Sequence, residues 1–352
     1  MMKKHDNQYV TSSLHVWQYG SDPGLVNLRT GQRFDFVDES VLEIIFFFLR
    51  PQSLECIPEN MSADAVDVCI QEGFIVPVTE GLSIWERYGW QRAAQLLFSQ
   101  QNLRYLENKA SRKAQSELIE KRRKSIGAYS AQSLYPERFV VKNKSSIQLR
   151  CDSTDTESLD WERIFLRSSV RDFADTPVAY TDFCATLVGA TKNIREAEHS
   201  KKSGDNFFLL NSFYSWTVLY VYVQNVVDIP RGLYQFDPLS MKLHFIRHAT
   251  DKQVSGVIQN QYWIGGGGFC LFIGSQWERY AWIYRHSRAY INLLIQLGEI
   301  SQELLCQSYS RGLGGWMTPA VTESKANKLF DAPSNVDIIY FMKFGLPKVK
   351  NK

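Results

Sequence analysis

Residues 166–173, which read LRSSVRDF, bring two arginines and two serines close together. Arg167 and Arg171 are four positions apart, and Ser169 lies between them. Arginine offers a phosphate a rigid fork of donors, whereas lysine offers a single point charge. If the segment is helical, the two arginines share a face, and the free N–H groups of a helix start add donors. The pattern therefore indicates an anion site, although a capped, exposed helix start explains the same letters.

Metal chemistry has no comparable pattern in this sequence. No two of the six cysteines stand two to four positions apart, and the six histidines are scattered, so we expect no metal site. The four glycines at 265–268 lack the Gly-Lys-Ser/Thr of a phosphate loop, and a strand pattern follows them. This stretch predicts a flexible loop or a bulge.

Composition bounds the class of protein. The 352 residues are 44% hydrophobic and 13% aromatic, which is enough for one large domain or two unequal ones. The formal charge of +3 does not point to nucleic acid. No apolar run reaches the ~18 residues that a membrane span needs, and the N-terminus lacks a secretory pattern. We therefore expect no membrane association and a cytoplasmic protein with free thiols.

The hydrophobic patterns divide the chain into three parts. Short strand patterns, two capped helices and a final strand predict a small winged-helix-like domain over 1–84. Residues 85–160 read as a helical and irregular connector. Helix and strand signals alternate over 161–352, where 217–224 and 336–344 are apolar enough to be buried strands. The predicted fold class is α+β.

Four further motifs follow the arginines along the chain. In sequence order they are RGLYQFDP at 231–238, an aromatic helix with Gly298 and Gln302, GLGGW at 312–316, and IIYFMKFGLP at 338–347. In this order and spacing, residues 161–347 resemble the nitroreductase superfamily. More narrowly, they resemble the SagB-type oxidoreductases of thiazole/oxazole-forming peptide maturation. The resemblance implies a nitroreductase-like mixed sheet flanked by helices, with FMN bound at a homodimer interface.

The resemblance also implies a set of cofactor-binding residues. The family uses an Arg-x-Ser-x-Arg motif for the FMN phosphate and ribityl chain, a serine loop under the flavin ring, and a glycine loop whose backbone approaches the cofactor. A lysine near the C-terminus, Lys343 or Lys348, would complete the phosphate site. The positions that match are Arg167, Ser169, Arg171, Ser212, Gly314, Gly315 and Lys348.

Catalysis in this family converts azoline rings of a peptide to azoles by removing a proton and a hydride. FMN takes the hydride and a side-chain base takes the proton. The lysine–tyrosine pair of the family would fall at 283–285, where this chain has Tyr284 and no lysine. Tyr284 or Tyr290 is therefore expected to be the base in an altered site, unless the chemistry differs or has been lost.

The N-terminal pattern resembles the PqqD-like winged-helix element of peptide-maturation enzymes. That element binds a leader peptide by adding it as a strand to a sheet edge. The implied partners are a precursor peptide and cyclodehydratase-type proteins in a maturation complex. The same sequence pattern also fits a domain that only packs against the rest of its own chain. A noncatalytic scaffold that presents leader peptide, and an NAD(P)H-dependent nitroreductase acting on small molecules, remain alternative functions.

Overall fold

The computed structural model describes most of the chain, and the ranges are 8–12, 15–18, 24–27, 33–35, 39–78, 112–132, 134–142, 145–151, 159–196, 215–259, 261, 263–284 and 289–348. The chain divides into two compact units. The first unit contains residues 1–108 with 286–291, and the second contains 109–285 with 292–352.

The described residues of the first unit include two small antiparallel sheets and two helices. Its strands are β1 (Gln8–Thr11), β2 (His15–Gln18), β3 (Gly24–Asn27), β4 (Arg33–Asp35), β5 (Gln52–Ser53) and β6 (Ile75–Pro77). Its helices are α1 (Glu39–Phe47) and α2 (Ala63–Gln71). One sheet has the order β5-β1-β6 and the other β2-β3-β4. Side chains from both helices and both sheets form one small core, which includes Leu25, Ile44, Phe48, Val66 and Ile75.

Local sequence signals set the ends of α2. The Ser62 side chain accepts a hydrogen bond from the Ala65 N–H at 3.3 Å, as an N-cap should. Gly73 follows the helix with a φ of 72°, a backbone conformation that favours glycine. Ser62 and Gly73 are thus the capping residues of one of the two capped helices that the sequence pattern predicts over 1–84.

The second unit is built on a seven-stranded sheet. Its strands are β7 (Ser146–Gln148), β8 (Thr217–Asn225), β9 (Gly232–Asp237), β10 (Lys242–Arg247), β11 (Gly268–Gln276), β12 (Gly314–Thr318) and β13 (Val336–Gly345). The strand order is β12-β13-β11-β8-β9-β10-β7, and neighbouring strands pair antiparallel. Parallel pairing enters through isolated bridges, such as the one between Ser169 and Gly315.

The central strands are buried on both faces, as their β-branched and aromatic letters predict. All nine residues of β11 are buried, and only the last residue of β8 is partly exposed. On one face, Tyr222, Cys270 and Phe272 belong to one hydrophobic cluster, which is called the main cluster below. On the other face, the Phe183 ring meets the Phe269 ring edge-on, with centroids 4.8 Å apart. Helices therefore cover both faces of the sheet.

The helices described in the second unit are α3 (Arg112–Gln132), α4 (Trp161–Phe165), α5 (Tyr180–Ala190), α6 (Asp251–Val257), α7 (Trp277–Ile283), α8 (Ala289–Ser310) and α9 (Glu323–Leu329). Residues 289–291 of α8 belong to the first unit. Helices α6 and α9 contribute Val254, Val257 and Ala326 to the main cluster. Helix α5 approaches α8 closely, because a Cβ on Gly189 would lie 2.7 Å from the Gln307 side chain. A larger residue at position 189 would require the Gln307 amide to move.

The predicted α+β class is confirmed. The stretch predicted as a connector, 85–160, contains helix α3 and also β7, which is the edge strand of the large sheet. The domain limits at 84 and 160 stay predictions. The six cysteines, all within the described ranges, are free thiols. Within those ranges, no helix combines the length and apolar composition that crossing a bilayer requires.

Candidate functional site

The arginine segment, defined here as residues 167–172, is not helical. The short helix α4 is capped by the Asp160 side chain and ends at Phe165. The chain then pairs with the start of β12, where the Val170 N–H donates to the Gly315 carbonyl at 2.9 Å. The condition under which the two arginines would share a helix face is therefore not met. Tertiary pairing with β12 has replaced the helix that the local pattern allowed.

The functional side chains of this segment are nevertheless exposed. Arg167, Ser169 and Arg171 are all exposed, whereas Val170 is half-buried and packs against the main cluster. In extended backbone, alternate side chains point the same way, so an inward Val170 turns Ser169 and Arg171 outward. The pairing presents two guanidinium groups and a hydroxyl to solvent.

The C-terminal stretch lies beside the same segment. The Lys348 N–H donates to the Asp172 carbonyl at 3.1 Å, and Phe173 forms an antiparallel bridge with Pro347. The Lys348 Nζ lies 3.9 Å from Asp172 Oδ1, and the lysine side chain is 64% exposed. The structure thus brings Lys348 next to the predicted arginines. This exposed ion pair is weak and leaves the ammonium group accessible.

Tyr309, near the end of α8, forms hydrogen bonds with both the arginine segment and the start of β12. Its hydroxyl lies 2.7 Å from the Ser168 carbonyl and 2.8 Å from the Gly315 carbonyl, and it accepts a hydrogen bond from the Gly315 N–H at 2.9 Å. Burial raises the pKa of Tyr309, although the Gly315 N–H and the nearby Arg167 guanidinium oppose that shift. Sequence reasoning missed this residue, because a tyrosine within a helical pattern carries no signal for such a contact.

Gly314 and Gly315 are required by packing within the protein itself. A Cβ on Gly314 would lie 2.7 Å from the Val170 side chain, and one on Gly315 would lie 2.6 Å from the Phe344 ring. The Gly315 N–H and carbonyl already bond to Tyr309 and Val170. Gly314 therefore lets the arginine segment lie close to β12, and Gly315 lets β12 lie close to β13. A direct contact of either glycine with a cofactor stays a prediction.

The predicted base Tyr284 lies at the other end of the sheet. It follows α7, and its ring centroid is 4.9 Å from that of Tyr280 and 5.9 Å from that of Trp216. Trp216 directly precedes β8, and its carbonyl accepts from the N–H of Gln276, the last residue of β11. The arginine segment instead adjoins the opposite end, where Gly268 starts β11. The nine residues of that strand span about 26 Å.

The two remaining predicted site residues are Tyr290 and Ser212. Tyr290 lies in the first turn of α8 and is 38% exposed, whereas Tyr309 lies in the last turn. Ser212 lies outside the described residues. The structure therefore brings together Arg167, Ser169, Arg171, Gly314, Gly315 and Lys348, and does not bring Tyr284 to them within one chain.

Comparisons with known proteins find distant similarities. The chain matches no protein-family model. Over 348 residues it is 21% identical to the trifolitoxin operon protein TfxC of Rhizobium leguminosarum bv. trifolii, covering 90% of this chain and 94% of that protein. A chain of the E. coli microcin synthetase McbBCD complex with truncated pro-MccB17 bound is 18% identical, with a TM-score of 0.43, over 64% of this chain and 82% of that one.

A protein named as a nitroreductase from Anabaena variabilis is 16% identical, with a TM-score of 0.44. The similarity covers 58% of this chain and 42% of that one, so the chain spans less than half of its length. At these identities and TM-scores, the comparisons report a distant likeness and do not assign the chain to a family.

The donors at the arginine segment fit the phosphate end of FMN. A phosphate monoester carries a charge of −1.5 to −2 near neutral pH and offers three strong acceptor oxygens. Arg167, Arg171 and Lys348 supply three exposed cations, and Ser169 supplies a hydroxyl. Three cations and a hydroxyl suit a phosphate better than a carboxylate, because a carboxylate carries a single charge and only two acceptor oxygens.

Proposed function

We propose that the protein is an FMN-dependent oxidoreductase that acts in the maturation of a ribosomally synthesised peptide and oxidises azoline rings to azoles. The observation that carries the proposal is the exposed set of Arg167, Ser169 and Arg171 beside Lys348. Support comes from the order of motifs over 161–347 and from similarity along almost the whole of a trifolitoxin operon protein.

The reaction would divide between the cofactor and the chain. Oxidation of an azoline to an azole removes one proton and one hydride from the ring, and FMN, when bound, accepts the hydride. The arginines and Lys348 would hold the phosphate and so fix the cofactor. Tyr284, or Tyr290 in its place, would take the proton as general base. No lysine is adjacent to Tyr284 in sequence, so a tyrosine would act alone.

We also propose that the protein acts as a homodimer. Tyr284 and the arginine segment lie at opposite ends of β11, so a site containing both needs a second copy of the chain. A test would mix Tyr284→Phe protein with Arg167→Ala/Arg171→Ala protein. Heterodimers would carry one intact site of two, and random mixing would restore about a quarter of the parental activity. Mixtures that stay inactive would contradict a shared site.

The small first unit would bind the leader part of the precursor peptide, with cyclodehydratase-type proteins as further partners. Among the described residues, strand β6 is at the edge of its sheet and pairs on one side, with β1. An extended peptide can add to such an edge through main-chain hydrogen bonds. Deletion of residues 1–78 would then abolish binding of precursor peptide while FMN stays bound.

The primary test is flavin binding. The purified protein is expected to be yellow, or to bind added FMN with the absorbance and fluorescence changes of a bound flavin. Incubation with a cyclised precursor peptide should then lower the peptide mass by two hydrogens per ring. A colourless protein that FMN cannot reconstitute would overturn the proposal.

A noncatalytic scaffold that presents leader peptide to a partner enzyme is the second candidate. The observation in its favour is the separation of Tyr284 from the arginine segment within one chain. A scaffold would bind precursor peptide and partner proteins without oxidising any ring. Peptide binding together with absent flavin binding would favour it over the enzyme.

A further inference from the structure

Lys343 is a buried lysine in the middle of the large sheet. It lies on β13 opposite Cys270 of β11 and Trp316 of β12, and its side chain is fully buried. Lysine is almost never fully buried unless its Nζ is well partnered. The sequence resemblance offered Lys343 as a phosphate ligand, but its burial removes it from that role.

The partners of the Lys343 Nζ are two neutral oxygens and one aromatic ring. It donates to the Gln224 side-chain carbonyl and to the Gly267 carbonyl, the latter at 2.8 Å. It also lies 5.1 Å from the centre of the Phe173 ring. Gly267 and Phe173 belong to different segments, so one Nζ joins both of them to the sheet.

Those two segments cross in close contact. A Cβ on Gly267 would lie 2.5 Å from the Thr176 carbonyl oxygen, and one on Gly266 would lie 2.7 Å from the Phe173 carbonyl oxygen. The Gly267 N–H also donates to the Ala174 carbonyl at 2.8 Å. The glycine stretch at 265–268 is thus a tight backbone crossing that ends in a bulge after Gly268. The bulge agrees with the sequence prediction.

The crossing continues directly into the arginine segment. The Ala174 N–H donates to the Leu346 carbonyl at 2.9 Å, and Phe173 bridges to Pro347. Asp172 and Lys348 pair next, and the exposed Arg171 follows. A shift of Gly267 or of the Phe173 ring would therefore move the backbone that carries the arginines.

A polar chain leads from Lys343 to the surface and holds Gln224 in place. The Gln224 amide donates to Asp251 Oδ1 at 2.9 Å and to the Ile264 carbonyl at 2.8 Å. Asp251 also accepts from Tyr222 and pairs with Arg231 at 2.7 Å. With its amide donors fixed in this way, Gln224 turns its carbonyl toward Lys343, which restricts the Nζ to one position.

From these contacts we propose that Lys343 is a positioning residue, whose Nζ fixes the Gly267 carbonyl and the Phe173 ring and thereby holds the arginine segment in its phosphate-binding arrangement. The consequence for FMN rests on the proposed function, whereas the consequence for the backbone does not. A site must be held to within about 0.5 Å to bind well, so loss of this support should weaken FMN binding without removing any phosphate donor.

The experiment compares Lys343→Met with Ile338→Ala, which removes a buried side chain near the other end of the same strand. Both variants should lose stability. Only Lys343→Met should raise the Kd for FMN, by about tenfold or more, as removal of a supporting residue does at metal sites. Hydrogen exchange at the Val170, Ala174 and Gly267 amides should accelerate beyond what the global loss of stability explains. Ile338→Ala should change the Kd by less than about twofold.

The outcomes separate the two proposals. If the parental protein binds no FMN, the proposed function fails, and local exchange still decides the role of Lys343. If the parental protein binds FMN and Lys343→Met binds it equally well, with exchange no faster than global unfolding allows, the positioning role is overturned and the function stands. Should Lys343→Met not fold, Gln224→Met removes one Nζ acceptor and is expected to produce the same local changes to a smaller extent.

Discussion

The side chains near the two ends of strand β11 are held by different kinds of contact. At the Gly268 end, backbone pairing with β12 and with 346–348 holds the arginine segment, and its charged side chains remain in solvent. At the Gln276 end, ring packing of Trp216, Tyr280 and Tyr284 dominates. Backbone pairing leaves long cations free to reach a ligand, whereas ring packing fixes a phenol in place. The first end is suited to binding an anion and the second to orienting an acid–base group.

The largest expected effect tests the aromatic end. Tyr284→Phe should lower the rate of azole formation by about 100-fold or more, because a positioned base contributes a factor of that order. FMN binding should be unchanged, since the phosphate donors lie at the other end of β11. Peptide mass spectrometry would follow turnover, and flavin absorbance would follow binding.

Tyr290→Phe is the matched control for this experiment, because Tyr290 is the rival candidate. If Tyr284→Phe turns over at the parental rate while Tyr290→Phe is slow, the base is Tyr290. If both variants keep the parental rate, neither tyrosine is the base.

The next effect tests the arginine end. Arg167→Ala/Arg171→Ala should raise the Kd for FMN by about 100-fold or more, since each bond to a charged group contributes about 1.5–3 kcal/mol. Titration with FMN monitored by fluorescence measures the change. Arg123→Ala is the control, because Arg123 is an exposed arginine on α3 with an (i, i+3) partner. Equal affinities for the two variants would show that the segment does not hold the phosphate.

A smaller effect tests how closely β12, the strand that pairs with the arginine segment, packs against β13. Gly315→Ala should lower the free energy of unfolding by about 1–3 kcal/mol, because the new Cβ would lie 2.6 Å from the Phe344 ring and 2.7 Å from the Lys343 carbonyl. Denaturant unfolding measures the change. Gly127→Ala on α3 meets no atom within 4 Å and should instead stabilise by about 0.5–1 kcal/mol. A neutral Gly315→Ala would mean that β12 lies farther from β13 at this position.

The smallest effect concerns pH. Burial lowers the pKa of Lys343 below its ordinary 10.5. Between the lowered value and 10.5 the unfolded chain binds more protons, so this residue makes stability rise with pH across that window. The free energy of unfolding of the parental protein, minus that of Lys343→Met, should therefore increase as pH rises toward 10.5. A flat difference would mean that Lys343 keeps its ordinary pKa.

Much of the sheet could be predicted because its strands are continuous runs of apolar residues in the sequence. The patterns at 217–224 and 336–344 correspond to β8 and β13 almost residue for residue. The arginine segment is not helical, although its local sequence allows a helix as well as an extended conformation. The carbonyl of Gly315, more than 140 positions later in the chain, selects the extended one.

By itself, the sequence determined which strands are buried and that the fold is α+β, because these follow from residue types and local periodicity. It also nominated the residues that we propose to bind a phosphate. Only the tertiary structure decided that Lys343 is enclosed, that Tyr309 joins α8 to β12, and that Tyr284 stands at the far end of the sheet. Each of these depends on contacts between residues far apart in the chain, which no local pattern encodes.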